Sequence, residues 1–301
     1  MNEARRAVKE IDTLFLDTSS LAYRAFFALP VTVTDAQGRA VNAVRGFMDM
    51  TRWLIAERRP KDVVAVSDAD WRPAFRVAAY AGYKEARPED PPELPRQFDV
   101  IAEVLDAAGI VRVEAPELEA DDALATLVHD LPEERRVAIV TGDRDLMAVV
   151  RDPQVRLIYP ARGVRNAMDI DAAEVHVKHG VGPELYPEYA TLRGDPSDGL
   201  PGVLGIGPVR AAALLTEYGS IDGILANLDR LPPKQARAIE EARGYLEAMK
   251  VVVPLITDAK LVATEPAGLD EERITSVAQE HNLGSSATRL AAALRETKDV
   301  G

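Results

Sequence analysis

The chain has 301 residues, 47% of them hydrophobic, which is enough apolar content for one large domain or two smaller ones. It has no cysteine, which excludes disulfides, thiolate zinc sites and cysteine nucleophiles and fits a cytoplasmic setting. No apolar run reaches about 18 residues, and "MNEARRAVKE" has no apolar signal segment, so neither a membrane span nor a secretion signal is expected. The net charge of −13 argues against nucleic acid as a partner, unless metal ions neutralise acids gathered in one place.

The first half of the chain predicts a parallel β-sheet. Short β-branched runs indicate buried strands at Thr13–Asp17, 63–68, 110–114, 137–143 and Val155–Tyr159. Amphipathic stretches between them predict helices over residues 19–28, 42–57, 94–108 and 119–129. This alternation predicts an α/β fold with an open, mostly parallel sheet flanked by helices.

Helical patterns dominate after residue 171. Glycine and proline in "GDPSDGLPGVLGIGPVRAAALLTEYGS" predict a turn and then a helix that ends at Gly219. The chain is therefore expected to divide into an α/β part, residues 1–170, and a helical part, residues 171–301, with a hairpin over residues 194–219. Residues 71–96 are rich in proline and charge, so we expect them to form a mobile insertion at the mouth of the sheet's ligand crevice.

Acidic residues follow the predicted strands. Asp17, Asp68 and Asp143 stand at strand ends, and a short loop leads from the third strand to the "EADD" motif. Because the carboxyl ends of parallel strands form the ligand crevice of an open α/β sheet, these acids should meet in space. The candidate set is Asp17, Asp68, Glu119, Asp121, Asp122, Asp143, Asp145, Asp195 and Asp198.

Each acidic motif alone also has a structural explanation. "TGDRD" can be a helix cap with a salt bridge, "GDPSD" a turn with Asx hydrogen bonds, and "EADD" a helix start. Together they would place nine carboxylates in one crevice without counter-charge, where they would repel one another or retain protons. All-oxygen ligands without His or Cys point to Mg²⁺ or Mn²⁺, and this many acids suit two ions or three. Two such ions about 4 Å apart can activate water for phosphodiester hydrolysis.

Three glycines, Gly202, Gly205 and Gly207, precede the helix of the predicted hairpin. Free backbone N–H groups there can hold a phosphate, and the spacing matches neither a dinucleotide-binding nor a P-loop fingerprint. Binding to the backbone of duplex DNA fits this pattern best, and a plain turn between two helices is the alternative. Basic and aromatic side chains that can contact DNA near the crevice are Arg24, Arg76, Tyr83, Lys84 and Arg87.

The sequence resembles the bacterial flap endonucleases, the 5′-nuclease family that includes the N-terminal domain of DNA polymerase I. The motifs "LDTSSLAYRAFFALP", "YKEAR", "EADDALATL", "TGDRDL" and "LRGDPSDGLPGVLGIG" occur in family order, and the match runs from Thr13 to Leu294. The resemblance implies a structure-specific 5′-nuclease that cuts DNA at flaps, nicks and 5′ ends, RNA-primed ends included, in replication and repair. We expect a free-standing nuclease, since no polymerase module follows the motifs. We also expect it to be a cytoplasmic, nucleoid-associated monomer.

The resemblance also implies a role for each acid. The ligands of the first metal would be Asp17, Asp68, Glu119 and Asp121. The ligands of the second would be Asp143, Asp145 and Asp198. Asp122 and Asp195 would act through water or help to hold a third ion.

Further roles follow for the basic residues. Tyr83, Lys84 and Arg87 match the family's helical arch, expected over residues 72–96, with Lys84 on the scissile phosphate. Arg24 and Arg76 would be further phosphate contacts. The hairpin would be a duplex-binding helix–hairpin–helix that holds a K⁺ ion through backbone carbonyls, with DNA contacts from Gly202, Gly205, Gly207 and Arg210.

The sequence departs from the family pattern at Thr18, Ser67, Gly199 and Val209, and none of these positions is a predicted metal ligand. Two other functions stay open. One is an RNA-cleaving nuclease with the same acid-lined sheet, which a missing arch and hairpin would favour. The other is a non-catalytic protein that binds branched DNA, which would require lost ligands.

Overall fold

The computed structural model describes residues 11–298, and its centre is a seven-stranded sheet in the order β6-β5-β4-β1-β2-β3-β7. The strands are β1 Thr13–Asp17, β2 Asp62–Val66, β3 Val111–Glu114, β4 Val137–Val140, β5 Val155–Tyr159, β6 Met168–Ile170 and β7 Val262–Ala263. The first five strands are parallel to one another, while the edge strands β6 and β7 pair antiparallel with β5 and β3. The predicted α/β fold is confirmed.

The predicted strands need two adjustments. β2 and β4 end two and three residues earlier than predicted, so Asp68 and Asp143 lie in the loops that leave the sheet. The edge strands β6 and β7 were not predicted, since runs of three and two residues are too short to show alternation.

Helices cover both faces of the sheet. They are α1 Thr18–Ala28, α2 Asn42–Arg58, α3 Ala74–Ala79, α4 Pro95–Ala107, α5 Ala120–His129, α6 Ala172–His179, α7 Tyr186–Arg193, α8 Pro208–Tyr218, α9 Ile221–Ala226, α10 Pro233–Glu241, α11 Arg243–Val252, α12 Glu271–Glu280 and α13 Ser286–Lys298. The four helices predicted in the first half of the chain are confirmed as α1, α2, α4 and α5. None of the helices within residues 11–298 is long and apolar enough to span a bilayer.

Alternate side chains of β1 enter two hydrophobic clusters. Leu14 and Leu16 pack with α2, α4 and α13 on one face of the sheet. Phe15 packs on the other face, in a cluster that continues through Tyr186 of α7 and Leu214 of α8. Because one core joins this face to the helices after residue 180, the helical part is packed directly onto the strands.

Residues 72–96, the predicted arch, are helical only near their two ends. The segment has only the short helix α3, followed by turns over residues 81–86, and α4 begins at Pro95. The prolines of "RPEDPPELP" remove backbone donors and prevent a continuous helix. The segment packs instead on α11, where Tyr83 joins a small cluster with Met249 and Val252.

Candidate active site

Asp17 is the first acid of the crevice, at the end of β1. Its carboxylate caps α1 by accepting a hydrogen bond from the Ser20 N–H (3.0 Å). It also accepts one from Thr141 Oγ1 (2.7 Å), which follows β4. Burial, then the charge of Asp68 and to a lesser extent that of Asp143, raise the pKa of Asp17 to about 7. The ends of β1, β2 and β4 therefore place their acids within electrostatic reach of one another.

Two further acids belong to the same space. Burial, then the charges of Asp143 and Asp17, raise the pKa of Asp121 well above its usual value. Burial, then the charges of Asp143 and Asp198, also raise the pKa of Asp145 well above its usual value. The Asp145 N–H donates a hydrogen bond to Asp143 Oδ1 at 2.9 Å. The strand ends, α5 and the 3₁₀ turn Pro196–Asp198 thus converge, as predicted from the topology.

Glu119 is bound by three side chains of the protein. Its carboxylate accepts hydrogen bonds from Arg76 Nη1 (2.7 Å) and Tyr83 Oη (2.7 Å) and forms a salt bridge with Lys84 Nζ. Although burial opposes the charged form, Glu119 and Asp198 raise the pKa of Lys84. Lys84 has a positive φ of 51°, so the backbone turns sharply where this ammonium enters the crevice.

Arg76 and Asp122 form a buried pair rather than the contacts predicted for them. Arg76 is 2% exposed and binds Asp122 through two hydrogen bonds of 2.7 Å. Asp122 also accepts the N–H groups of Glu119 (3.4 Å) and Ile256 (2.9 Å). Arg76 is therefore engaged by Glu119 and Asp122, and both carboxylate oxygens of Asp122 accept hydrogen bonds from it.

Asp195 is also occupied by protein groups. It accepts the N–H of Ser197 (3.0 Å) and hydrogen bonds from Arg144 (3.2 Å) and Arg193 (2.9 Å). This placement differs from the predicted role at a third ion. Sequence reasoning missed both arginines, although one lies inside "TGDRD" and the other two residues before Asp195.

The predicted base-stacking role of Tyr83 is also not what the structure shows. Tyr83 is 4% exposed, and its hydroxyl is bound to Glu119. Arg72, which was not predicted, holds the segment by donating to the carbonyls of Tyr83 (2.7 Å) and Ala81 (2.9 Å). The ring therefore supports Glu119 and has no free face for a base.

Arg24 and Arg87 do lie at the crevice, as predicted. A Cβ placed on Gly142 would lie 3.1 Å from Arg24 Nη2, and Arg24 Nε has no hydrogen-bond partner within residues 11–298. Arg87 contacts Asp198 at 3.4 Å and lies 5.9 Å from the ring centroid of Trp71. Both guanidinium groups therefore lie beside acids at the carboxyl edge of the sheet.

The acids that remain suit hard divalent cations. Within residues 11–298 no three acidic or histidine side chains form a ready-made metal site, and Glu119, Asp122 and Asp195 are bound to basic side chains. The other six supply oxygen ligands only, and burial and mutual repulsion raise the pKa of several of them. They are Asp17, Asp68, Asp121, Asp143, Asp145 and Asp198, the last of which also contacts Arg87 at 3.4 Å.

The hairpin between α7 and α8 lies next to these acids. Gly202 has a φ of +70°, and a Cβ there would lie 2.6 Å from the backbone of Arg193, so only glycine fits. Gly207 caps α8 and has open space around it, and Arg210 Nη1 donates to the Gly205 carbonyl at 2.7 Å. The first N–H groups of α8 therefore face outward beside an ordered turn.

Gly199, one of the departures from the family pattern, lies where the hairpin meets the segment that carries Lys84. Its φ is +72°, and a Cβ there would lie 2.3 Å from the Gly82 carbonyl oxygen. The Lys84 N–H donates to the Asp198 carbonyl at 2.9 Å in the same contact. A glycine is therefore required for this close approach.

Residues 12–180 match the family model of the 5′-3′ exonuclease N-terminal resolvase-like domain, and residues 181–274 match that of the 5′-3′ exonuclease C-terminal SAM fold. The chain belongs to the 5′-3′ exonuclease family. It is 42% identical over 297 residues to a 5′-3′ exonuclease of Streptomyces coelicolor, covering 92% of this chain and 98% of that one. A 5′-3′ exonuclease of Mycobacterium tuberculosis is 40% identical over 311 residues, with 93% and 97% covered.

More distant relatives of this 5′-3′ exonuclease chain agree on the fold. DNA polymerase I of Thermus thermophilus is 39% identical over 264 residues, which are 86% of this chain but 30% of the polymerase. The T5 D15 protein, crystallised with metal ions, superposes with a TM-score of 0.64 at 17% identity, covering 95% and 98% of the two chains. The catalytic core of Rad2 in complex with DNA substrate superposes with a TM-score of 0.61 at 17% identity, covering 97% of this chain and 95% of that one. The predicted family is confirmed.

The buried pair makes a prediction about stability. Replacing Asp122 with Ala leaves the buried guanidinium of Arg76 undercompensated, and we expect the unfolding free energy to fall by about 3–5 kcal/mol. The double variant Arg76→Met/Asp122→Leu should recover most of that loss, because it removes both charges. Urea denaturation measures both values. Glu241→Ala, which breaks an exposed pair with Arg237, is the control and should change little. Similar losses in Asp122→Ala and Glu241→Ala would contradict the assignment.

Proposed function

We infer that this chain is a structure-specific 5′-nuclease that hydrolyses DNA phosphodiesters where single and double strands meet, as a flap endonuclease and 5′-3′ exonuclease. The observation that carries this conclusion is the set of mutually repelling carboxylates at the carboxyl edge of the sheet, next to an outward-facing helix–hairpin–helix. Its relatives named 5′-3′ exonuclease are 42% and 40% identical over nearly the whole chain. Replication and repair are the proposed setting, since both create 5′ flaps and nicks.

Divalent cations are the proposed cofactors. One would be held by Asp17, Asp68, Glu119 and Asp121, and another by Asp143, Asp145 and Asp198. Such ions supply an activated water and stabilise the leaving oxygen when bound. We propose Mg²⁺ or Mn²⁺ rather than zinc because every donor is a carboxylate oxygen. A third ion has less support, because Asp122 and Asp195 already bind arginines.

Glu119 differs from the other proposed ligands. Both of its oxygens already accept hydrogen bonds from the protein, including those from Arg76 and Tyr83. A role as a metal ligand therefore requires Lys84 Nζ to leave the carboxylate. Once released, this ammonium would be next to the acids and available to bind the scissile phosphate.

Other residues would orient the DNA. Arg24, beside Gly142, and Arg87, beside Asp198, would bind backbone phosphates next to the cleaved bond. Gly205, Gly207 and the first turn of α8 would bind duplex phosphates through backbone N–H groups, with Arg210 ordering the turn. We also propose a K⁺ ion held by backbone carbonyls of this hairpin. The Gly205 carbonyl already accepts a hydrogen bond from Arg210.

Two further proposals concern organisation. Residues 1–170 would carry the chemistry and residues 171–301 the duplex contacts. The protein would act as a monomer on the chromosome, in the cytoplasm and associated with the nucleoid. Nothing in the geometry of the crevice favours an RNA-only substrate, so a flap with RNA in its 5′ strand belongs among the substrates tested.

The metal assignment is tested by cleavage of a 5′-labelled flap duplex with Mg²⁺ or Mn²⁺. Asp143→Asn and Asp121→Asn should each lower the rate by more than about 100-fold, because loss of an outer-sphere partner alone costs about 10- to 100-fold. Excess EDTA should abolish cleavage. Asp258→Asn, an exposed site near the β7 edge, is the matched control and should cleave normally. Full activity in either site variant, or in EDTA, would rule out metal catalysis by these residues.

Lys84 is tested by separating chemistry from binding. Lys84→Met should slow single-turnover cleavage much more than it weakens binding of the same duplex, because the ammonium acts at the acids and not along the duplex. Lys84→Arg keeps the charge and should restore part of the rate. Equal losses of rate and affinity in Lys84→Met would mean that Lys84 is only an electrostatic anchor.

A further inference from the structure

The carboxyl edge of the sheet changes from acidic to basic beyond β4. β5 runs parallel to β4 and ends at Tyr159, so Tyr159 lies at the same edge as the acids. Tyr159 and Arg144 line a cavity together with Asp143 and Asp145. Lys178, in the last turn of α6, places its ammonium 5.0 Å from the ring centroid of Tyr159.

Three cations gather at this place. Burial lowers the pKa of His179, and the positive charges of Lys178, Arg193 and Arg144 lower it further, to about 4. All three basic side chains are therefore near His179. Arg193 and Arg144 share one carboxylate, Asp195. Within residues 11–298, Lys178 has no carboxylate partner. Asp143, Asp145 and Asp198 line the same cavity as Arg144, so within residues 11–298 Lys178, on the Tyr159 ring, is the member of this group whose charge no carboxylate pairs with.

We propose that Lys178, Arg144 and Arg193, with Tyr159 as a platform, form a phosphate-binding subsite for the DNA backbone next to the cleaved phosphodiester. This proposal rests on the proposed nuclease function. A strand that brings one phosphate to the acids must also place its neighbouring phosphates along the same edge, where further acids would repel them. On the β2 side, Arg76 and Lys84 are paired with Glu119 and Asp122, whereas on the β5 side Lys178 has no carboxylate partner within residues 11–298 and offers its charge to such a phosphate.

The test measures DNA binding in the Asp143→Asn background, which prevents cleavage, with Mg²⁺ and a fluorescent flap duplex. Kd is determined by anisotropy between 50 and 200 mM KCl with and without Lys178→Ala. Each phosphate contact contributes about 0.9 to the slope of log K against log salt. Loss of Lys178 should therefore reduce the magnitude of that slope by about one. The fold-loss of affinity between 50 and 200 mM KCl should then be about threefold smaller than in the parent protein.

Two controls accompany the measurement. Lys178→Arg should retain the parent slope, because it keeps the charge. Lys260→Ala removes an exposed lysine beside β7, at the opposite edge of the sheet, which also has no carboxylate partner in the described part of the chain. It should leave Kd and slope unchanged.

The outcomes separate this subsite from the proposed function. If the wild-type chain cleaves the flap but Lys178→Ala binds like Lys260→Ala, the subsite is wrong and the nuclease function stands. If the wild-type chain neither binds nor cleaves the flap in Mg²⁺ or Mn²⁺, the proposed function fails and the subsite fails with it. A lowered slope in Lys178→Ala alone supports the subsite.

Discussion

Repulsion between carboxylates at one edge of the sheet is the constraint on which the rest of this structure depends. Asp17, Asp121 and Asp145 come from three distant parts of the sequence, and each has its pKa raised by burial and then by the charges of neighbouring acids, Asp143 among them in every case. A protein does not keep such a cluster for stability, because like charges in a crevice oppose folding. The cluster is explained by cations that it binds.

The protein itself supplies some of those cations, and the way it does so organises the site. Arg76 and Lys84 come from the segment before α4 and neutralise Glu119 and Asp122 at the start of α5. Arg144 and Arg193 do the same for Asp195. Of the nine candidate acids, Glu119, Asp122 and Asp195 are therefore held by buried or half-buried basic side chains, and Asp198 contacts the more exposed Arg87.

The sequence predicts the sheet well, because its central strands are buried on both faces and appear as continuous β-branched runs. It also predicts that acids meet, because parallel topology brings strand ends to one edge. It does not predict which acid binds which cation. Asp122 lies 46 residues from Arg76 in the chain, and only tertiary packing decides that they pair. The unwound segment around Tyr83 was missed for a similar reason: its conformation follows from its prolines and from packing on α11.

The central claim is that the acids of this edge hold protons until divalent cations replace them. Isothermal titration of Mn²⁺ into the protein at pH 6.5, in two buffers of different ionisation enthalpy, counts the protons released. With the pKa of Asp17 raised to about 7 and those of Asp121 and Asp145 also raised, binding should release about one proton or more per chain. Asp17→Asn should release fewer. Saturable Mn²⁺ binding with no proton release at pH 6.5, or no Mn²⁺ binding at all, would contradict the account.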